Sequence, residues 1–506
     1  MSVAQQDKSA AKKMAKAIAS HYPIIYVVSA EEERVEQMLR GVSSNHYGDE
    51  RKIVTWTASR GFDTEQLGDD SLRDPINALN QIVAQQDDAI YLMKDLPAYF
   101  EDNHALVRVL RDFYHQMAAR DSFVVMSHPV LSVPEELKKE IYLVELELPS
   151  EDEIFDYLSR LIESADLQTP VDENWISKCA QSSRGLSFNE IRHLFLRLMN
   201  EGKFELDVVL DEIFEEKSQV LLKESCLKVM PRGFDIDSIG GLQKLKEWVR
   251  ARGKLLTKEA HDAGIPMPSG VLFMGVSGCG KSLAAKTIAA AWDLQLIRLD
   301  MNLILSGVYG PPEFAFDRAT RVAENIAPVV LWIDEIENSF GYDDNASGSG
   351  GNVNIFTSFL TWMQEKPTNV FVAATANRIN KLPAEMIRKG RFDQVFFVDL
   401  PWEEERQDIF RIHIEANGGN VEEFDMKILG MVTQGWSGAE IEQVVKAARI
   451  DAFDENRPFN ERDITRNTGR VVPLSKTMNE QVNQLRGWSM ERATPASTKP
   501  PTQKSV

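Results

Sequence analysis

At 506 residues the chain is too long for a single hydrophobic core, and its length suggests about three domains. A hydrophobic content of 43% can fill several cores and excludes a largely disordered protein. A net charge of −20 argues against nucleic acid as a partner, because duplex affinity comes largely from cationic contacts to phosphates; a local basic groove stays open.

The opening segment, residues 1–20, is rich in lysine and alanine and reads as a short amphipathic helical extension, either a solvated cap or a membrane-surface element. It has no apolar stretch followed by a cleavage site. No segment approaches the roughly 20 apolar residues needed to span a bilayer, so no membrane span is expected. Cys179, Cys226 and Cys279 are far apart, odd in number and form no C-x-x-C pair, which suggests a reducing, cytoplasmic setting.

From residue 21 to 149 short apolar runs (PIIYVVSA, KIVTWTA, DAIYLM, SFVVMS) alternate with stretches of helical period. That alternation predicts an α/β fold with a parallel, doubly wound sheet. Residues 150–225 lack strand runs and read as a helical, lid-like subdomain. The pattern then restarts, with GFDIDSIGGL (233–242) at the joint. VLFMG, LIRLD, VVLWID, VFVAAT and VFFVDLP give a second α/β domain over 226–400, followed by a helical subdomain over 401–470. Residues 471–506 form a C-terminal segment whose Pro/Ser/Thr-rich end, TPASTKPPTQKSV, is expected to be disordered.

The halves read as an internal duplication. LELPSEDE (146–153) matches VDLPWEEE (398–405), GLSFNEI (185–191) matches GWSGAEI (435–441), and VPEEL (133–137) matches LPAEM (382–386). All three sit at an offset of about 250 residues. The first copy lacks the chemistry of the second. After its first strand, YVVSAEEER (26–34) has no glycine and no Gly-Lys-Ser, and Lys94 stands where a metal-binding aspartate would be needed. The first half is therefore expected to be a degenerate nucleotide-binding fold that binds no nucleotide.

In the second half, residues 275–282 read GVSGCGKS and fit G-x-x-x-x-G-K-[ST]. Gly275, Gly278 and Gly280 let the backbone N–H groups of Gly275, Val276, Ser277, Gly278, Cys279 and Gly280 curl around ATP phosphates. Lys281 supplies positive charge and the Ser282 hydroxyl can ligate Mg²⁺. About fifty residues on, VVLWIDE (329–335) ends an apolar strand in two carboxylates: Asp334 to hold Mg²⁺ and Glu335 to polarise the attacking water. Asn377 ends the next strand, on the sheet edge where ligands bind, and could position that water. An exposed loop asparagine is the competing reading.

The block IDSIGG, GVSGCGKS, LWIDE, ATAN, LPAEMIRKGRFD and GWSGAEI, in that order over 234–452, resembles the classical AAA clade of ring-forming ATPases. The full chain resembles a narrower family of AAA proteins found in cyanobacteria, chloroplast genomes and other bacteria. Its supporting features are the Gly/Ser loop 343–351, FTSFLTWMQEK (356–366) and the segment 473–497. The resemblance implies a P-loop-NTPase-like fold with a helical lid, and a homo-oligomer, expected to be a hexameric ring. It makes Asn377 a sensor residue, and Arg388 and Arg391 arginine fingers reaching a neighbouring subunit's γ-phosphate. His413, Gly438 and Ala439 are similar to lid residues that pack on adenine and ribose, with Asp237 to Gly240 against the base.

The chain departs from the clade at its pore loop, SGVYGPPE (306–313). Val308 takes the usual aromatic position, Tyr309 follows one place later, and two prolines stiffen the segment. The sequence thus points to Mg²⁺-dependent ATP hydrolysis coupled to remodelling of a protein partner. A nucleotide-dependent switch or scaffold is the alternative, and a nucleic-acid motor comes third.

Overall fold

The computed structural model describes residues 6–47, 52–63, 70–85, 87–101, 103–118, 120–164, 171–222, 226–231, 239–256, 263–265, 267–340, 350–367, 369–388 and 390–498. The chain divides into two compact units, Met1–Glu216 and Lys217–Val506.

In the first unit the apolar runs form β1 (Ile24–Val28), β2 (Lys52–Thr57), β3 (Gly61–Phe62), β4 (Ala89–Lys94), β5 (Phe123–His128) and β6 (Ile141–Glu145). They pair in the order β3-β2-β4-β5-β1-β6, parallel throughout except for the β2–β3 ribbon. Runs such as Ile24–Val27 are buried on both faces because helices cover both sides of the sheet, as parallel pairing requires. One covering helix is Gln6–Ala19. Its Met14, Ala17 and Ile18 are fully buried in the core of Ile25, Val27, Val35 and Leu39. The N-terminal segment is thus not a solvated cap: burying a side chain such as Ile18 contributes about 1.5–3 kcal/mol.

The turn after β1 leads into the helix Glu32–Tyr47 through a charged cluster. Glu31 and Arg34, 5% and 8% exposed, pair at 3.0 Å. The other Glu31 oxygen accepts the Phe188 amide at 2.7 Å, at the start of the helix Phe188–Glu201. Arg34 also donates to the Glu147 carbonyl at 2.6 Å and lies 3.5 Å from Glu153. At the end of β4, Lys94 pairs with Glu32 (2.8 Å) and Glu36 (2.7 Å). Burial is the largest single influence on its ammonium and lowers its pKa, but the two carboxylates together outweigh it and hold the group above the usual lysine range.

The second unit contains β7 (Leu227–Val229), β8 (Gly270–Gly275), β9 (Gln295–Leu299), β10 (Val329–Ile333), β11 (Val370–Ala376), β12 (Gln394–Val398) and β13 (Thr494–Pro495). The order is β13-β12-β8-β11-β10-β9-β7, parallel except for β7 against β9. Both sheets contain the same five-strand progression, β6-β1-β5-β4-β2 in one and β12-β8-β11-β10-β9 in the other. A helical layer follows, built on Glu403–Ala416, Met426–Val432, Gly438–Asp454 and Glu461–Thr468 around Phe410, Ile414, Leu429, Trp436 and Ile441.

Four strands, β3, β6, β7 and β13, lie outside the sequence-predicted set. The last corrects the expectation of disorder for the start of the C-terminal Pro/Ser/Thr stretch only; residues 499–506 lie outside the described residues. Thr494 and Pro495 pair with Phe396 and Phe397. Ala496 is fully buried, donating to the Phe397 carbonyl (2.9 Å) and accepting from the Leu245 amide (3.1 Å). Proline is tolerated because this is an edge strand, where no partner needs its missing N–H. Before it, the helix Asn479–Arg492 is fixed by Arg486, whose guanidinium forks onto Asp399 at 2.9–3.0 Å just after β12.

Candidate functional site

The strand β8 stops at Gly275 because the chain must turn sharply beneath β12. A Cβ at Gly275 would stand 1.9 Å from the Val398 carbonyl oxygen, so only glycine fits. Gly278 has φ +75°, and a Cβ there would press on Ala439 at 3.0 Å. The loop ends in the helix Lys281–Ala291, whose first N–H groups and positive dipole end face the turn. The glycine spacing predicts a concave array of main-chain donors from 275 to 280; the Val276 amide does not join one, because it donates to the Val398 carbonyl at 3.2 Å. The half-buried Cys279 thiol is pushed up to about 12 by burial, so it stays protonated.

Lys281 is 6% exposed and donates to the carbonyls of Gly275 (3.1 Å) and Val276 (2.7 Å). Burial lowers its pKa, and the carboxylates Glu337, Asp334 and Glu335 oppose that shift. A desolvated ammonium facing acidic groups across a glycine loop suits a polyanion that arrives with a cation.

The carboxylates sit at the C-terminal end of β10. Ser282 Oγ donates to Asp334 Oδ1 at 3.2 Å, and Thr375 Oγ1 donates to the same oxygen at 2.6 Å. Glu335 takes a left-handed backbone conformation, φ +48°, which costs about 1–3 kcal/mol in a non-glycine residue. Its amide donates to Thr375 Oγ1 at 3.0 Å. The Glu335 carboxylate is exposed and accepts from Asn377 Nδ2 (3.0 Å) and Asn338 Nδ2 (2.8 Å). Asn377 is thus joined to Glu335 and is not a free loop residue. Glu337, buried behind it, accepts the amides of Asn377 (2.8 Å) and Arg378 (3.2 Å). Burial raises its pKa, with Glu335 adding to the effect.

The helical layer closes a third side. The Ala439 amide donates to the Gly278 carbonyl at 3.0 Å, which places Gly438 and Ala439 against the phosphate loop. Ser437 and Glu440 cap that helix reciprocally. Gly240 approaches the helix Glu403–Ala416 so closely that a Cβ would lie 2.7 Å from Ile409 Cγ1. Leu242 is held there by Glu405, whose carboxylate accepts its amide at 3.1 Å. His413 lies one turn beyond Ile409 and is half-buried; burial lowers its pKa, opposed by nearby Glu442. Asp237 lies outside the described residues, as do residues 343–349 of the Gly/Ser loop.

The structure does not bring Arg388 and Arg391 to this cluster through any hydrogen bond or ion pair. Arg388 is exposed, and Arg391 donates to the Glu385 carbonyl at 2.6 Å. Among the described residues neither pairs with a carboxylate.

Mg²⁺ fits the donor set. Among the described residues no group of three or more His, Cys, Asp or Glu is arranged to hold a metal. One hydroxyl and one carboxylate, Ser282 and Asp334, share a hydrogen bond beside the glycine loop. Mg²⁺ is usually held in this way, by one or two protein ligands plus substrate phosphates. The sequence reading missed Thr375, Asn338 and Glu337. The signal for Thr375 was available: a polar residue two positions before Asn377 in an apolar strand shares its face.

Comparison with known proteins agrees with this geometry. Residues 10–146 match the family described as "SpoVK-like AAA ATPase, N-terminal domain". Residues 271–400 match "ATPase family associated with various cellular activities (AAA)". The chain is 33% identical over 474 residues to the "Uncharacterized AAA domain-containing protein ycf46" of Trieres chinensis, covering 93% of this chain and 94% of that protein. The protein of the same name from Guillardia theta is 34% identical over 475 residues, covering 93% of each. A proteasome-activating nucleotidase of Thermococcus kodakarensis is 27% identical over 255 residues, 49% of this chain and 64% of that one.

Proposed function

The chain belongs to the AAA ATPases, within the family of the ycf46 AAA domain-containing proteins, and from that premise we propose that it is a Mg²⁺-dependent ring ATPase that remodels a protein partner. The observation that carries this reading is the convergence of Lys281, Ser282, Asp334, Glu335 and Asn377 on one sheet edge, beside a loop of main-chain donors.

In the proposed mechanism, the amides of residues 277–282 and the Lys281 ammonium hold the β- and γ-phosphates. Mg²⁺, when bound by Ser282 and Asp334, neutralises phosphate charge. Glu335 takes a proton from the attacking water, while Asn377 and Asn338 hold its two oxygens. Oxygen bonds to the γ-phosphorus as its bond to the β-bridging oxygen breaks, with ADP leaving. Arg388 and Arg391 of one subunit stabilise the charge at its neighbour's site, which makes turnover depend on a homo-oligomer, most simply a hexamer. Gly240, Ile409 and His413 flank the base, and Gly438 and Ala439 allow close approach of the ribose. The named activator of the proteasome among its relatives supports a protein client. Among the described residues no helix is long and apolar enough to cross a membrane. The free cysteines suit a reducing compartment such as the cytoplasm.

One observation favours a second reading, a nucleotide-dependent switch or scaffold without threading. Val308, at the loop position that would grip a threaded chain, is aliphatic and 72% exposed. Pro311 and Pro312 start the following helix, Pro312–Ile326, and restrict that loop. Steady-state ATP turnover, with solution mass measured with and without a non-hydrolysable ATP analogue, tests the main reading. Turnover that rises with nucleotide-driven assembly supports it; a turnover-inactive protein, or one active as a monomer, contradicts it.

A further inference from the structure

Thr375 is 1% exposed, and its hydroxyl occupies a position that the proposed hydrolysis chemistry does not use. It lies on β11 beside the two adjacent acidic residues that follow β10, Asp334 and Glu335. It donates to Asp334 Oδ1 at 2.6 Å and accepts the Glu335 amide at 3.0 Å. Both of these bonds cross from one strand to the next just as the pairing ends, since the β10–β11 register stops at Ile333 opposite Ala374. Beyond that point no strand ladder fixes Asp334 or Glu335, and the chain turns into the left-handed conformation at Glu335.

A hydroxyl can do this because it is both donor and acceptor. A valine could fill the space, but it would leave the Glu335 amide without this acceptor and Asp334 with one hydroxyl donor fewer. Ser282 donates to the same Asp334 oxygen, so two hydroxyls set the carboxylate plane. Their shared use of Oδ1 leaves Oδ2 without a hydroxyl donor among these contacts.

We propose that Thr375 is a positioning residue that orients Asp334 for Mg²⁺ and fixes the strained backbone from which Glu335 projects. The inference rests on the ATPase reading and deepens it. Thr375 touches neither nucleotide nor metal; it acts through Asp334 and Glu335. Loss of such an outer partner typically weakens metal affinity or activity by about 10–100-fold.

The test compares the full-length protein with T375V and T375S, using a fluorescent ATP analogue titrated at stepped Mg²⁺ concentrations and again in EDTA. Wild-type affinity tightens with Mg²⁺. For T375V the Mg²⁺ concentration needed for half of that tightening rises by about 10–100-fold, while affinity in EDTA is unchanged. T375S, which keeps the hydroxyl, restores the wild-type curve. Two results overturn the inference: a T375V curve that follows wild type, or an equal loss of affinity in EDTA, which marks a merely structural effect. A wild-type protein whose binding ignores Mg²⁺ overturns the ATPase reading itself, before any variant is compared.

Discussion

The turns after β8 and after β1 occupy the same place in the same strand order and solve the same electrostatic problem in opposite ways. After β8 comes a glycine loop, and Lys281 stands buried, donating among the described residues to the Gly275 and Val276 carbonyls. After β1, the turn supplies its own anion: Glu31 accepts the Phe188 amide and pairs with Arg34. The charges at the strand tips are exchanged as well. In the second unit the cation is on the loop and the acids follow β10. In the first, the cation Lys94 ends β4 and the acids Glu32 and Glu36 begin the helix. A helix N-terminus and a strand edge favour a negative charge whether it comes from a phosphate or a side chain. Our proposal that the first unit binds no nucleotide is supported by this: the turn carries carboxylates paired with Arg34 and Lys94 where a phosphate would have to sit.

Substitutions sharpen or break that contrast. The largest effect is expected for Lys281→Ala, which should abolish tight ATP binding in an equilibrium assay; retained affinity would detach the loop from the function. Arg391→Ala should leave binding intact and slow turnover by ~10³–10⁵ if the finger acts on a neighbouring subunit. Single-turnover rates measured at several protein concentrations check it. Glu335→Gln should keep affinity and reduce turnover by about 10²–10⁴, and an unchanged rate removes Glu335 from the mechanism. In the first unit, Arg34→Ala removes the guanidinium that pairs with the buried Glu31. It should cost about 3–5 kcal/mol of that unit's stability and leave nucleotide affinity alone. Hydrogen exchange over residues 24–47 and 188–201 reads the first effect, and a changed ATP affinity would contradict the separation of roles.

Legibility from sequence tracked how local each cause is. The loop 275–282 was readable because its glycines and Lys281 are consecutive and their chemistry is set by the backbone. The buried strands were readable because parallel pairing demands continuous apolar runs. Edge elements were not. β13 is two residues of a Pro/Ser/Thr stretch, paired with the distant Phe396 and Phe397. β7 is three residues long, too short to display any period. The N-terminal helix was legible as a helix, but which face it buried depended on β1 and on the helix Glu32–Tyr47. In the first unit the absence of Gly-Lys-Ser was plain. That Glu31 would reach the Phe188 amide, 157 residues away, was not encoded locally. Thr375 stood in view, yet its double hydrogen bond depends on the turn at Glu335.

The most direct test of this account is the number of ATP molecules bound per chain at saturation, measured by equilibrium dialysis with Mg²⁺. The account predicts one, lost entirely in Lys281→Ala; two per chain, or one that survives in Lys281→Ala, would contradict it.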